Sequence, residues 1–374
     1  MRRFPSNLMS SEVIAKTHGV TASRYQRVRF MPWVHASAAC AGALNSMFPP
    51  KQVLPSNSRR RQICQVARFA WLTLCWNIAV VLWGTYVRAT GSGDGCGNRW
   101  PLCDGDVVGA SANGQTIVEF IHRITSFISL LMVTGLVVWC WRATKKGDWA
   151  RYSAVLAAAF LANEALLGAA LVLLKHVGSD QSAGRILFLC LHFGNTFLLL
   201  ATLSLTAAWL SSGSRSFTLI SKWREVGSIG LGLLATMVTG ITGAVAALAD
   251  TLFPATSLSS SLAQDFSSGT PDVLRFRLLH PAVATVAACY VLWVIFRIST
   301  GQLQFSQRAI SLIAAIVVQF GVGLMNVLLL VPVWLQIVHL FVADVLWILI
   351  VLASAELMLE RPNSDPATVL ASGV

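Results

Sequence analysis

Residues 118–124, Val-Glu-Phe-Ile-His-Arg-Ile, open an apolar run that ends near Trp141. Glu119, His122 and Arg123 therefore stand together where a membrane helix would begin. Ionisable side chains at membrane depth are costly in free energy, so a histidine there is a candidate functional residue if partners for it can be named. Three further histidines in equivalent positions are the candidate partners.

The composition of the chain indicates an integral membrane protein. Of its 374 residues, 55% are hydrophobic and 12% are charged, and the mean hydropathy is +0.65. A net charge of +12 would favour a nucleic-acid partner in a soluble protein. Here the Lys and Arg residues cluster in the tails and in alternate loops, so we expect the lipid bilayer and no nucleic acid as a partner.

Eight apolar runs are long enough to span a bilayer. The segments before span 1 and after spans 2, 4 and 6 are rich in Lys and Arg, which predicts that both termini are cytoplasmic in a multi-pass protein of the cell (plasma) membrane. Residues 1–62 are predicted to be a basic disordered extension, with a targeting peptide, a cytoplasmic tail and an upstream start-codon artefact as alternatives. Residues 358–374 are predicted to be a cytoplasmic tail. The predicted spans are residues 66–89, 118–141, 152–174, 186–210, 226–249, 274–297, 309–330 and 333–356.

Every even-numbered span carries one histidine near its outer end. Each lies about four to seven residues into its span, which is roughly 6–10 Å into the bilayer at ~1.5 Å per residue. The four residues, all in the outer leaflet, are His122, His192, His280 and His339.

A nearly constant offset of about 150 to 160 residues predicts that the chain is a duplicated four-helix unit. Because each unit has an even number of spans, the two halves share one orientation and form a parallel repeat. The predicted fold is an all-α integral membrane protein of eight transmembrane helices in two four-helix bundles, residues 63–212 and 213–357. The paired landmarks are His122 with His280, His192 with His339, Gly84 with Gly240, and Glu164-(x3)-Gly168 with Gln319-(x3)-Gly323.

Two imidazoles that face each other across a bundle suit haem iron, which takes axial histidine ligands. A single membrane histidine is as readily a hydrogen-bonded packing residue, but matched placement in four spans favours haem. One histidine per helix, with no Cys or second His one turn away, disfavours a zinc or copper site.

Three motifs resemble the first half of the haem A synthase family, of the bacterial, cysteine-containing type. They are Gly84-Thr-Tyr-Val-Arg-Ala-Thr-Gly-Ser-Gly, Cys96-(x3)-Trp-Pro-Leu-Cys103 and Glu119-(x2)-His-Arg, and the resemblance covers about residues 66–356. It implies an oxidoreductase that converts a methyl group of haem O to the formyl group of haem A for terminal oxidases. It further implies that His122 and His192 flank the substrate haem, while His280 and His339 ligate a haem b cofactor. Candidate partners are a haem O synthase, an external thiol or quinone-linked electron acceptor, and a second copy of the chain.

The residues three positions before two of the histidines differ in charge. Glu119 precedes His122 and is a candidate catalytic group, because oxidation of a methyl group releases protons that a carboxylate can accept. Arg277 precedes His280 and suits the anionic propionates of a bound cofactor. Arg88 is the candidate propionate partner in the first half. The alternatives are a solvated helix-start acid for Glu119 and an interfacial anchor for Arg88.

Two cysteines, Cys96 and Cys103, are predicted to form a disulfide in the first outer loop, with either a structural or a redox role. Two further acids, Glu164 and Asp344, lie at membrane depth and either relay protons or hydrogen-bond between helices.

Two other classes of protein remain alternatives. A dihaem b-type cytochrome that carries electrons across the membrane needs ligands in both leaflets, whereas all four histidines are in one. A transporter built from the same repeat needs helices interrupted at the midplane, and no span is clearly interrupted.

Overall fold

The computed structural model describes residues 57–97, 100–101, 103, 113–213, 218–219, 223–299 and 307–360. Eight helices in these ranges are long and apolar enough to cross a membrane, which confirms the eight predicted spans. Most of the predicted N-terminal extension and C-terminal tail lies outside the described residues. The helices are α1 (Asn57–Ala89), α2 (Gly114–Ala143), α3 (Trp149–Leu173), α4 (Ala183–Ser211), α5 (Trp223–Leu252), α6 (Leu258–Asp265), α7 (Phe276–Ser299), α8 (Gln307–Leu328) and α9 (Val333–Met358).

Spans 1 to 5 correspond to α1–α5, and spans 6, 7 and 8 correspond to α7, α8 and α9. The short α6 lies in the loop between α5 and α7, and single 3₁₀ turns occupy Ser92–Asp94 and Asp272–Arg275. Because successive spans reverse direction, α1, α3, α5 and α8 end where α2, α4, α7 and α9 begin. We call this common end of the protein the histidine end.

Two helices begin earlier at the histidine end than hydropathy predicts, because polar residues cap them. Asn113 accepts a hydrogen bond from the backbone N–H of Thr116, and Ser182 accepts one from the backbone N–H of Arg185. Such caps satisfy free N–H groups at a helix start but have no hydrophobic signal. As a result His122 lies eight residues into α2 and His192 nine residues into α4, deeper from the helix start than predicted.

The helices pack in chain order. Each of α1, α2 and α3 contacts the next helix, and α4 returns to contact α1. In the remainder, α7 packs on α5 and α8, and α9 packs on α8 and α5, while α4 and α1 both contact α5 and α9. The main buried apolar core runs through α1–α4 and takes in Trp347, Ile348 and Val351 of α9.

A two-residue strand pair, absent from the all-α prediction, lies at the other end of the protein. Strand β1 (Thr218–Leu219) pairs antiparallel with β2 (Leu359–Glu360), with Thr218 opposite Glu360. Strands this short have no detectable period-2 pattern, so the sequence does not reveal them. The pair joins the loop after α4 to the end of α9.

Candidate functional site

The four histidines lie at one end of the protein and on alternate membrane helices, as predicted. His280 of α7 and His339 of α9 face each other with ring centroids 6.4 Å apart and ring planes at 85°. His122 of α2 and His192 of α4 are close enough for their imidazoles to interact electrostatically. The structure therefore gives two histidine pairs, one from α2 and α4 and one from α7 and α9.

Each histidine ring packs against a glycine on the membrane helix that precedes it in the chain. A Cβ atom built on three of these glycines would crowd the Cε1 atom of the ring, whereas a Cβ on Gly168 would make an ordinary van der Waals contact. The separations are 3.0 Å for Gly84 and His122, 3.8 Å for Gly168 and His192, 2.8 Å for Gly243 and His280, and 3.1 Å for Gly323 and His339. The glycines thus leave room for the imidazoles on the facing helices.

One predicted pairing is wrong by one helical turn. Gly243, and not Gly240, is the glycine of α5 that faces a histidine, as Gly84 of α1 does. A Cβ on Gly240 would instead lie 2.6 Å from the ring of Phe197 and 3.0 Å from the ring of Phe193. Both glycines belong to the motif Gly-Ile-Thr-Gly, and the sequence alone does not give the rotation of the helix.

Three of the histidines have a buried ring nitrogen that forms no hydrogen bond with the described residues. These are the Nδ1 atoms of His122, His192 and His339, and that of His192 lies 3.3 Å from Glu164 Oε1. Thr242 Oγ1 lies 3.3 Å from Nδ1 of His280. Paired imidazoles on helices that are spaced apart by glycines fit axial ligation of haem. No group of three or more His, Cys, Asp or Glu side chains in the described part of the chain forms another metal site.

Glu119 is buried, with 3% of its surface exposed, and so it is not a solvated helix-start acid. Its Oε1 atom accepts a hydrogen bond of 2.5 Å from Arg123 Nη2. Its Oε2 atom accepts one of 2.8 Å from the backbone N–H of Cys96. The carboxylate is therefore held between its own helix and the first loop.

That loop carries the predicted disulfide between Cys96 and Cys103, which the structure confirms. Thr116 donates a hydrogen bond of 2.7 Å to the carbonyl of Gly95. A Cβ on Gly95 would overlap the backbone of the first turn of α2 at 2.5 Å, so only glycine permits this close approach. Arg123 also donates to the carbonyl of Pro101. The disulfide loop and Glu119 are thus fastened to each other.

Arg88 points out of the first four helices. Its guanidinium donates to the carbonyl of Ala247 at 2.7 Å, to Thr251 Oγ1 at 2.8 Å and to Gln336 Oε1 at 2.9 Å. These acceptors belong to α5 and α9, so Arg88 bridges the two halves of the protein and is not a simple interfacial anchor.

Arg277 is surrounded by acceptors of its own half. Its Nε atom lies 2.7 Å from Asp250 Oδ1 and its Nη1 atom 3.3 Å from Asp265 Oδ1. Its Nη2 atom donates to the carbonyls of Ala249 and Phe253. Two carboxylates therefore already balance the charge of this arginine.

The sequence analysis did not single out Arg185, which is buried at the start of α4 and donates to the carbonyls of Gly178 and Asp180 at 2.7 Å each. The Asp180 carboxylate lies in the preceding loop and bonds His176 Nδ1 at 2.8 Å and Ser182 Oγ at 2.8 Å. Burial raises the pKa of Asp180, but these hydrogen bonds outweigh burial, so the pKa lies below its ordinary value. In the sequence, the motif Asp180-x-Ser182 before an apolar run is the signal that could have indicated this cap at the start of α4.

The two remaining acids have contrasting surroundings. Glu164 Oε2 accepts a hydrogen bond of 2.5 Å from Asn195 Nδ2, and its Oε1 atom accepts one from Thr196 and lies 3.3 Å from His192 Nδ1. Both carboxylate oxygens of Asp344 are buried without a hydrogen-bond partner among the described residues. Glu164 therefore contacts a histidine of the first pair, whereas a role for Asp344 stays a prediction.

Comparison with known proteins identifies the family. The sequence profile described as cytochrome oxidase assembly protein, COX15-CtaA, matches residues 67–351. The chain belongs to this family. The matched segment of the COX15-CtaA family begins within α1 and ends within α9, so it includes both histidine pairs, Glu119 and the disulfide loop.

The relatives of this COX15-CtaA chain include proteins with two different functional names. It is 39% identical over 305 residues to "Protoheme IX farnesyltransferase" of Thermus thermophilus, a match that covers 79% of this chain and 49% of that protein. It is 32% identical over 174 residues to "Heme A synthase" of an Exiguobacterium species, covering 46% of this chain and 54% of that protein. It is 36% identical over 137 residues to "Heme A synthase" of Halalkalibacterium halodurans, covering 37% and 43%. The chain thus spans about half the length of the relatives that it matches.

Proposed function

We propose that this chain is a haem A synthase, which oxidises the methyl group of haem O to the formyl group of haem A for terminal oxidase assembly. One difference between the two histidine pairs carries the proposal. A buried carboxylate, Glu119, stands three residues before His122, whereas an arginine, Arg277, stands three residues before His280. Proteins named heme A synthase from two bacteria are among the relatives, which supports the same activity.

In this proposal His122 and His192 flank the haem substrate, and His280 and His339 ligate a haem b cofactor. A bound haem supplies the redox chemistry. The chain supplies the rest: the glycines on α1, α3, α5 and α8 leave room for the imidazoles, and the apolar walls of the bundle exclude water.

Glu119 is the proposed proton acceptor. Conversion of a methyl to a formyl group releases protons, and a carboxylate one turn from His122 is placed to receive them. Arg123 donates to Oε1 through both Nε and Nη2, whereas Oε2 accepts the N–H of Cys96 and can still accept a second hydrogen bond. The disulfide loop would thereby position the catalytic carboxylate. A redox role for Cys96 and Cys103 towards an external thiol or quinone-linked acceptor stays a prediction.

Arg88 and Arg277 stay predictions as propionate partners. Because both guanidiniums already bond protein groups, a propionate would have to share these donors with Gln336 or with Asp250.

The proposal also includes the arrangement of the chain. Residues 63–212 and 213–357 would be two parallel-repeat bundles in the cell membrane with cytoplasmic termini, an arrangement that the closed packing of α1–α4 supports. The name of the Thermus relative, a protein about twice as long as its match to this chain, supports a protohaem farnesyltransferase, which makes haem O, as a partner. A second copy of the chain is a further candidate partner.

A dihaem electron-transfer cytochrome is not favoured, because its ligands would have to approach both membrane faces and all four histidines lie at one end. The test is chromatographic identification of haems extracted from membranes that contain the chain and a source of haem O. Haem A from the wild type and its loss in Glu119→Ala, with haem b retained, is the expected result. Glu225→Ala, an exposed acid at the start of α5, is the matched control. Bound haem b without haem A in the wild type would end the proposal.

A further inference from the structure

Glu164 and His192 are brought together by adjacent helices. Glu164 lies one turn before Gly168 on α3, and Gly168 faces the Cε1 atom of the His192 ring at 3.8 Å. The carboxylate Oε1 atom is 3.3 Å from Nδ1 of the same ring. Glycine and glutamate therefore contact two adjacent atoms, Cε1 and Nδ1, of one imidazole.

The Glu164 carboxylate is fixed by a network that does not include the ring. Asn195 donates to Glu164 Oε2 and also to the carbonyl of Phe160, at 2.8 Å, while its own Oδ1 accepts from Asn163 at 2.8 Å. Thr196 donates to the other carboxylate oxygen. Both amide hydrogens of Asn195 are used, so its orientation is determined. A carboxylate held in this way can impose its position on the histidine.

The second half has a different group at the matching sequence position, and it contacts the other ring nitrogen. Gln319 lies one turn before Gly323 on α8, and its Nε2 atom is 3.4 Å from Nε2 of His339. The two halves therefore present a carboxylate to His192 and a neutral amide to His339. Among the described residues, none of the other three candidate ligands has an ion-pair contact with Asp or Glu.

We infer that Glu164 is a positioning residue for His192. It holds the ring so that Nε2 is the nitrogen available to the haem iron, and it makes His192 a stronger electron donor than His339. A carboxylate close to Nδ1 favours the tautomer that carries the proton on this nitrogen, and so raises the basicity of the other, ligating nitrogen. A more basic ligand stabilises the oxidised iron, so it lowers the reduction potential of the first-half haem. The inference rests on the proposed haem ligation and deepens it.

The internal repeat supplies a reciprocal pair of variants. Glu164→Gln gives the first half the amide of the second, and Gln319→Glu gives the second half the carboxylate of the first. The measurement is the midpoint potential of each bound haem by optical redox titration, with electron paramagnetic resonance of the oxidised haems. We expect Glu164→Gln to raise the potential of the first-half haem by about 59 mV, which is a tenfold change in the reduction equilibrium of a one-electron couple, and Gln319→Glu to leave that potential unchanged.

Unchanged potentials and spectra in Glu164→Gln, with haem bound, would overturn the inference. If that variant binds no haem, Glu164→Asp decides: retained haem with a raised potential supports the inference, and loss of haem here too overturns it. Absence of haem from the first half of the wild type also overturns it. Haem A is assayed in the same membranes. A wild type that binds both haems but makes no haem A would end the proposed function, while the potentials would still test the role of Glu164.

Discussion

Arg88 on α1 donates a hydrogen bond from Nη2 to Gln336 Oε1 on α9, and this 2.9 Å contact joins the first described membrane helix to the last. Gln336 is itself fixed by a 2.9 Å bond from its Nε2 to the carbonyl of Val331. Arginine is suited to such a junction, because its planar guanidinium reaches several acceptors at once.

We expect Arg88→Met to lower the free energy of unfolding by about 2–4 kcal/mol, since it removes three hydrogen bonds from a charged donor. Arg88→Lys should restore only part of this stability. The measurement is thermal or denaturant unfolding in detergent. Arg224→Met, at the exposed start of α5, is the control and should change stability by less than about 0.5 kcal/mol. Equal effects of the two variants would contradict the bridging role.

Addition of a methyl group at Gly323 should reduce haem binding in the second half. In Gly323→Ala the new Cβ would lie 3.1 Å from the His339 ring, which must then move. Gly321 is the matched control on the same helix, because a Cβ there meets nothing within 4 Å. Gly321→Ala should keep full haem content and gain roughly 0.5–1 kcal/mol of stability from the loss of a helical glycine. Haem per protein, measured by pyridine haemochrome, distinguishes the two, and equal occupancy would refute the packing argument.

Because Glu119 holds the disulfide loop, we expect the disulfide to be reduced faster when this contact is removed. Glu119→Ala removes the acceptor for the Cys96 N–H, which as a charge-assisted bond contributes about 1.5–3 kcal/mol. If reduction requires the loop to open, the rate with a soluble thiol should rise by about 10- to 100-fold. Trapping of the freed thiols over time gives this rate. Glu225→Ala should leave it unchanged, and a Glu119→Ala rate equal to the wild-type rate would show that the loop is held by other contacts.

The cap at the start of α4 predicts a response to acid. Because the pKa of Asp180 is lower in the folded protein than in the unfolded chain, its contribution to stability is complete above about pH 3.9, the ordinary value, and is lost as the pH falls through the folded pKa. The difference in melting temperature between wild type and Asp180→Asn should therefore shrink as the pH falls below about 4. Asp272→Asn is the control, since that side chain is 88% exposed. A difference that grows on acidification would reverse the assignment.

The sequence predicts the parts of this protein that depend on hydropathy along the chain. All eight spans, the helix of each histidine and the end at which the histidines lie follow from runs of apolar residues and from the position of His within them. The sequence does not predict the rotation of each helix about its own axis. Gly240 and Gly243 are equally plausible neighbours for His280 in the sequence, and only packing distinguishes them.

The sequence also does not predict the hydrogen-bond and ion-pair partners of the charged side chains. Arg88 was expected to serve its own half, yet its acceptors come from residues 247, 251 and 336, more than 150 positions away. Arg277 was recognised as a basic residue beside a histidine, but its ion pairs with Asp250 and Asp265 require the loop that contains α6 to fold back. Contacts of this kind are set by tertiary packing and leave no periodic trace.

The close contact of three histidines with the glycines facing them makes distant positions depend on each other through evolution. A related chain that has lost His122 no longer needs glycine at position 84, and one that retains the histidine can scarcely tolerate anything larger there. Joint variation of the pairs 84/122, 243/280 and 323/339 across related genomes would therefore show, without purification of any protein, which members have kept both sites and which have given one up.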